Sequence, residues 1–313
     1  MIGMLAVLLA GTAVGLHGHR PLLWLAARRV DPTILLVGWS LLSIGLVVST
    51  LAMIGLLALP MDQHESSGLF QLVGGCWTAV TTGTVPAWQQ TVAGISLIMA
   101  AAIVVRLGKA VASRVRSVRR HAPHVEQLRL LAMSSSAGEP LWVPSRRAMA
   151  LSIGGRPGVI IASDGLRAQL PPAAVAATLE HERAHLRGHH HALVTVAETL
   201  AAALPWCPLL RAAPAATRDL VELAADDQAA RRYGPEAVQV ALRRMTGQPV
   251  LPFGLAMASR LTELRISRLG TSDPRGARHL LRWPGAAAMA SGALLLPAAT
   301  TWLGINVVLC AVT

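Results

Sequence analysis

From Thr33 to Pro60 the chain carries no charged residue, and the same holds from Trp283 to Thr313. Each stretch exceeds the roughly 20 residues that an α-helix needs to cross a bilayer. Inside lipid every backbone amide must find its partner within the segment, so such runs are read as helices. Met1 to Leu16 is also uncharged but shorter, and Trp88 to Val105 ends at Arg106. The expectation is an α-helical membrane protein with about four transmembrane helices, at 1–16, 33–60, 88–107 and 283–313. A composition 53% hydrophobic and only 14% charged, with mean hydropathy +0.50, agrees with it.

Basic residues set the expected orientation. Arg20, Arg28 and Arg29 follow the first apolar run, and Arg106, Lys109, Arg114, Arg116, Arg119 and Arg120 follow the third. Met61 to Gln90 has neither Lys nor Arg. By the positive-inside rule both chain ends lie outside and residues 109–282 form a cytoplasmic domain. No positive charge precedes the first apolar run, so a cleaved leader is not expected. The net charge of +12 is accounted for by these topology signals and by anionic lipid headgroups, and direct nucleic-acid binding is not expected. An arginine- and alanine-rich composition suits a bacterial chain from a GC-rich genome, which places it in the plasma (inner) membrane. Cys76, Cys207 and Cys310 form no C-x-x-C pair, and Cys207 faces the reducing side, so no structural disulfide is expected there.

Within 109–282 a basic helix around Gly108 to Leu131 gives way to a turn-rich patch, Ser134 to Pro140. Ala148–Ile153 and Val159–Ala162, separated by Gly and Pro, read as a β-hairpin. After a turn at Ser163-Asp164-Gly165, Pro171 and Pro172 suit the first turn of a helix. That helix carries His181-Glu182-Arg183-Ala184-His185, the H-E-x-x-H arrangement. Histidines four apart leave one helix face together and can hold one zinc ion, and Glu182 is placed to act as general base toward water. A strand just before the helix offers an edge on which a peptide substrate could pair.

A catalytic zinc takes three protein ligands. Extending the motif through Gly188 to His191 matches the metzincin pattern and makes His191 one candidate. Glu222, from a second helix with Asp226 one turn further along the same face, is the other. Glu222 is favoured, because the run His189-His190-His191 catches a histidine in several registers; that run by itself reads as a solvated or headgroup-facing helix end. Asp226 would hydrogen-bond a ligand histidine and fix its tautomer. Tyr233 and Arg265 are candidate oxyanion donors.

Leu179 to Leu186, Leu204-Pro205-Trp206-Cys207-Pro208 and Glu222-Leu223-Ala224-Ala225-Asp226 together resemble the BlaR/MecR antirepressor membrane metallopeptidases, with HtpX/Ste-type membrane proteases as more distant relatives. The resemblance implies three spans, an α+β zincin (gluzincin-like) cytoplasmic domain and a fourth span. It implies Glu222 as third zinc ligand and Asp226 as its support. It also implies a protein substrate such as a cytoplasmic transcriptional repressor. The antibiotic-sensing members continue into an extracellular penicillin-binding domain; this chain stops at Thr313, so β-lactam detection is not implied.

One geometric constraint remains. If Leu193 to Leu210 crossed the bilayer once, Glu222 would stand on the opposite side from His181 and His185, and one ion cannot bridge a core about 30 Å thick. The run is expected to be a buried or interfacial helix, or a membrane-dipping hairpin, with the first preferred. Three functions compete: a regulatory endopeptidase, a quality-control protease of HtpX type, and a non-catalytic zinc-binding sensor. Glu182 argues against the last, since a structural site needs no base.

Overall fold

The computed structural model describes residues 2–28, 30–57, 87–133, 139–155, 158–246 and 255–270. The expected fourth span, the loop Met61 to Gln90 for the most part, and Cys76 and Cys310 lie outside them. In chain order the elements are α1 Ile2–His17, α2 His19–Ala27, α3 Pro32–Leu57, α4 Ala87–Met133, β1 Leu141–Val143, β2 Ala150–Ile153, β3 Val159–Ser163, α5 Asp164–Gln169, α6 Pro172–Arg187, α7 His190–Ala203, α8 Pro208–Tyr233, α9 Pro235–Thr246 and α10 Leu255–Gly270.

Among the described residues two helices are long and apolar enough to cross a membrane: α3 over Pro32–Ala52 and α4 over Gly94–Ser117. Asp31 starts α3 by accepting the Thr33 amide at 2.9 Å, satisfying one of the unpaired N–H groups of the first turn. Helix α3 is apolar all round. Leu35, Leu36, Trp39, Leu46 and Val47 are buried, while Val37, Leu41, Ile44 and Val48 form an exposed stripe at helical spacing. On α4 the exposed face is apolar too, with Ile98 71% exposed and Ile95, Val104 and Val105 each more than half exposed. Contiguous apolar surface of this kind suits lipid rather than water. The first apolar run forms α1, at 16 residues shorter than a typical span. The third runs without a break into the basic helix, so one 47-residue helix joins segments that the sequence reading kept apart.

Leu193 to Leu210 is not one helix. Helix α7 ends at Ala203, the chain turns through Leu204 to Cys207, and α8 starts at Pro208, where a missing amide proton costs nothing. The resulting hairpin lies against both apolar helices. Its tip residues Ala203, Leu204 and Leu210 pack with Val47 and Ile54 of α3 and Ile103 of α4. Further along α8, Leu209, Ala213, Leu220 and Val221 pack with Leu22, Val30, Leu35 and Trp39. Arg106 binds the tip to α4, its Nε donating to the Ala203 carbonyl at 3.0 Å with its guanidinium over the Trp206 ring. That contact satisfies one of the carbonyls left open at the end of α7. Cys207 is a free thiol, its Sγ 3.6 Å from the Gly15 carbonyl oxygen.

The sheet has the order β1-β3-β2, with β2 antiparallel and β1 parallel to β3. The β2–β3 pair falls where the sequence places a hairpin; β1 is an addition. Where a turn was expected at Asp164-Gly165, the short α5 forms instead, capped by Ser163, whose Oγ accepts the Leu166 amide. The sheet packs through Ile160 and Ala162 onto Leu170, Ala174 and Leu179, which fixes α6 between the sheet and the α8–α9 pair.

Candidate metal centre

Helix α6 carries His181, Glu182 and His185, and α8 carries Glu222 and Asp226, each helix using the four-residue spacing that stacks side chains on one face. Small buried residues beside them, Ala177 and Ala184 on α6 and Ala225 and Ala229 on α8, let the two backbones come close. As a result the side chains of His181, His185 and Glu222 converge. The Nε2 atoms of the histidines are 3.0 Å apart, and each is 3.5 Å from a Glu222 carboxylate oxygen. Tetrahedral ligands on zinc bonds of about 2.05 Å stand about 3.3 Å from one another. Two imidazoles and a carboxylate at these separations therefore fit a zinc ion.

Asp226, 2% exposed, lies against His181 with Oδ1 3.0 Å from Nδ1, which leaves Nε2 free to face Glu222. Arg265 on α10 donates through Nε and Nη2 to the two oxygens of Asp226, at 2.6 and 2.7 Å, and its Nη1 is 3.1 Å from Glu222. Rather than standing free as an oxyanion donor, Arg265 is committed to the two carboxylates. Tyr233 packs with Ala177, Ala229 and Val238, and on a rise of 1.5 Å per residue it lies about 16 Å along α8 from Glu222, too far to act on the same atom. Glu182 is half-buried, makes no hydrogen bond or ion pair among the described residues, and lies within electrostatic reach of Arg265. His191 is not among the converging groups. Its ring centroid is 6.2 Å from that of His185, and its Nε2 is 3.4 Å from the Ser152 hydroxyl on β2.

The charges are set by these contacts. Burial opposes a charge on His181, but its bonds to Asp226 and Glu222 outweigh that and lift its pKa from 6.5 to about 9. Burial and the neighbouring His181 cation push His185 down to about 4. Glu222 would be raised by burial, yet the bond from His181 and the charges of His181 and Arg265 hold it at about 2. Asp226 is likewise depressed, burial being outweighed by Arg265 and His181. At pH 7 the metal-free site thus holds a protonated His181, a neutral His185 and two carboxylates. A cation at Nε2 must displace the His181 proton, so binding zinc at pH 7 is expected to release about one proton. Affinity should rise as pH climbs towards 9 and flatten above it, because only below that value does a proton compete. Calorimetric titration in buffers of different ionisation enthalpy reads both quantities.

Two buried residues on α6 and α7 are not legible as such in the sequence. Glu180, 2% exposed, is ringed by Arg187, Arg232 and Arg183 and ties α6 to α8; its spacing of three and seven from Arg183 and Arg187 is the one available signal. His190 belongs to the triple read as a solvated helix end. His189 and His191 are exposed in that way. His190 is buried, with its Nδ1 3.0 Å from Nδ1 of His185. Beside them a cavity of about 860 Å³ opens between β2 and α7, lined by Ser152, Gly154, His185, Leu186, His191 and Val196 among others.

Compared with protein-family models, with curated proteins and with solved structures, the chain shows no match.

Proposed function

We propose that the chain is an integral-membrane zinc endopeptidase that hydrolyses peptide bonds at the cytoplasmic face of a bacterial plasma membrane. The observation that carries the reading is the convergence of two imidazoles from α6 and a carboxylate from α8, with a glutamate next to the first imidazole that makes no hydrogen bond or ion pair among the described residues. His181, His185 and Glu222 would hold the ion. When bound, zinc supplies Lewis acidity, which makes water nucleophilic near neutral pH and polarises a carbonyl oxygen. Glu182 takes the proton from the attacking water and delivers it to the departing amine. Asp226 keeps the proton of His181 on Nδ1, and Arg265 holds Asp226 and Glu222 in place. Among the described residues strand β2 is an edge of the sheet, and it lines the cavity beside His185, so an extended peptide can add to it by backbone hydrogen bonding.

Four spans, with residues 109–282 in the cytoplasm and both ends outside, complete the proposed topology. The exposed apolar faces of α3 and α4 support its membrane-crossing part. The BlaR/MecR-like motifs favour a cytoplasmic protein such as a transcriptional repressor as substrate. A quality-control role draws on a different observation: α7 lines the cavity and its far end packs between α3 and α4, which puts the groove within reach of chains leaving the membrane.

Full-length protein in detergent micelles should cut an unstructured polypeptide, stop when zinc is removed by a chelator, and resume when zinc is restored. Absence of cleavage with one zinc bound per chain would favour the non-catalytic sensor instead. Proteins that accumulate in cells carrying Glu182→Gln would separate a single repressor from many membrane proteins.

A further inference from the structure

We propose that His190 is a positioning residue for His185: its Nδ1 accepts the ring proton of His185 and so fixes the tautomer and tilt with which His185 presents Nε2 to the metal. The proposal rests on the metal-binding half of the reading above and not on proteolysis.

The two Nδ1 atoms are 3.0 Å apart, with the rings edge to face and their centroids 4.9 Å apart. One must donate and the other accept. An imidazole that gives Nε2 to a metal keeps its single proton on Nδ1. The direction is therefore settled by the metal: His185 donates, His190 accepts, and the proton of His190 sits on its own Nε2. His181 has Asp226 for the same task. Glu222 faces Nε2 of His185, so among the described residues no carboxylate contacts its Nδ1.

The backbone is shaped to deliver this ring. Helix α6 closes at Gly188, and the chain re-enters helix at His190 through His189, which adopts the left-handed conformation at φ 50°, ψ 34°. Among the described residues it is the one non-glycine with positive φ, a conformation L-residues disfavour and one that tends to persist where function demands it. Gly188 makes room as well: a Cβ there would lie 2.6 Å from Cδ2 of His190. A strained residue and a glycine, side by side, both serve to turn the His190 ring onto His185. His190 is 7% exposed and completes the set of buried groups around the site.

Three variants of the full-length protein in micelles test the role, read as zinc affinity by competition with a chromophoric chelator and as the visible absorption of the Co²⁺-substituted form. His190→Leu fills the space without an acceptor and should weaken zinc binding about 10- to 100-fold, with a changed Co²⁺ spectrum. His190→Asn sets an amide oxygen where Nδ1 stood and should recover most of the affinity. His190→Asp offers a stronger acceptor and should bind zinc at least as tightly as the native protein; it keeps the test decisive if the leucine variant does not fold. Equal affinity in the native and Leu proteins, equally weak binding by Leu and Asn, or weakened binding by Asp would each overturn the positioning role. A native protein that binds no zinc would instead overturn the metal reading, and this inference with it.

Discussion

Glu182→Gln is expected to keep one zinc per chain while slowing peptide cleavage at least about a hundredfold, the usual contribution of a positioned general base. The amide has the size and half-buried fit of the carboxylate, so packing on α6 is unchanged. The converging ligand atoms belong to His181, His185 and Glu222, and none of them belongs to Glu182. What the amide lacks is a carboxylate oxygen to accept the proton of the attacking water. A second consequence follows from Arg265, which feels Glu182 as well as Asp226 and Glu222. With one negative charge gone, the guanidinium is left to the two α8 carboxylates alone, so the ligand cradle should hold or tighten. Zinc content by atomic absorption and single-turnover cleavage of an unstructured polypeptide separate the two effects. A variant that cleaves within a few-fold of the native rate would remove Glu182 from the chemistry. One that loses zinc along with activity would make it part of the ligand cradle.

The half of this centre that lies on one helix is readable from the chain, because four-residue spacing on an α-helix is itself a statement about geometry. Glu222 is a different case. Nothing local links it to His181; only packing of α8 on α6 through buried alanines brings the carboxylate in, and resemblance to a family had to stand in for that tertiary fact. The β2–β3 pair was legible because Gly and Pro interrupt two apolar runs. A three-residue strand such as β1 is too short to show a period, and Asp164-Gly165 signals a turn as strongly as it signals the first turn of α5. For Leu193 to Leu210, the preferred buried or interfacial helix is broken between Ala203 and Pro208. Apolarity could not show that the run folds back on itself between α3 and α4. His190 shows the limit most clearly. Three adjacent histidines look alike in a sequence, and only the left-handed turn at His189 decides which of them reaches His185.

Glu222→Ala is expected to cost zinc affinity more than about a hundredfold, while His191→Ala should leave it within a few-fold. Loss of a group that only orients a ligand costs 10- to 100-fold, so loss of a ligand itself must exceed that. Glu222 stands 3.5 Å from Nε2 of each histidine, is kept anionic at neutral pH by His181 and Arg265, and is held by Arg265, so it meets a cation without rearranging. Its removal leaves two imidazoles, one of them protonated in the metal-free protein, facing a site that has lost its compensating charge. His191 would have to leave the Ser152 hydroxyl and close a ring separation of 6.2 Å from His185. Competition with a chromophoric chelator at fixed pH reads both variants. The opposite order, with zinc lost in His191→Ala and retained in Glu222→Ala, would put the third ligand on α7. It would make the α6–α7 turn, rather than the α6–α8 packing, the element that builds the centre.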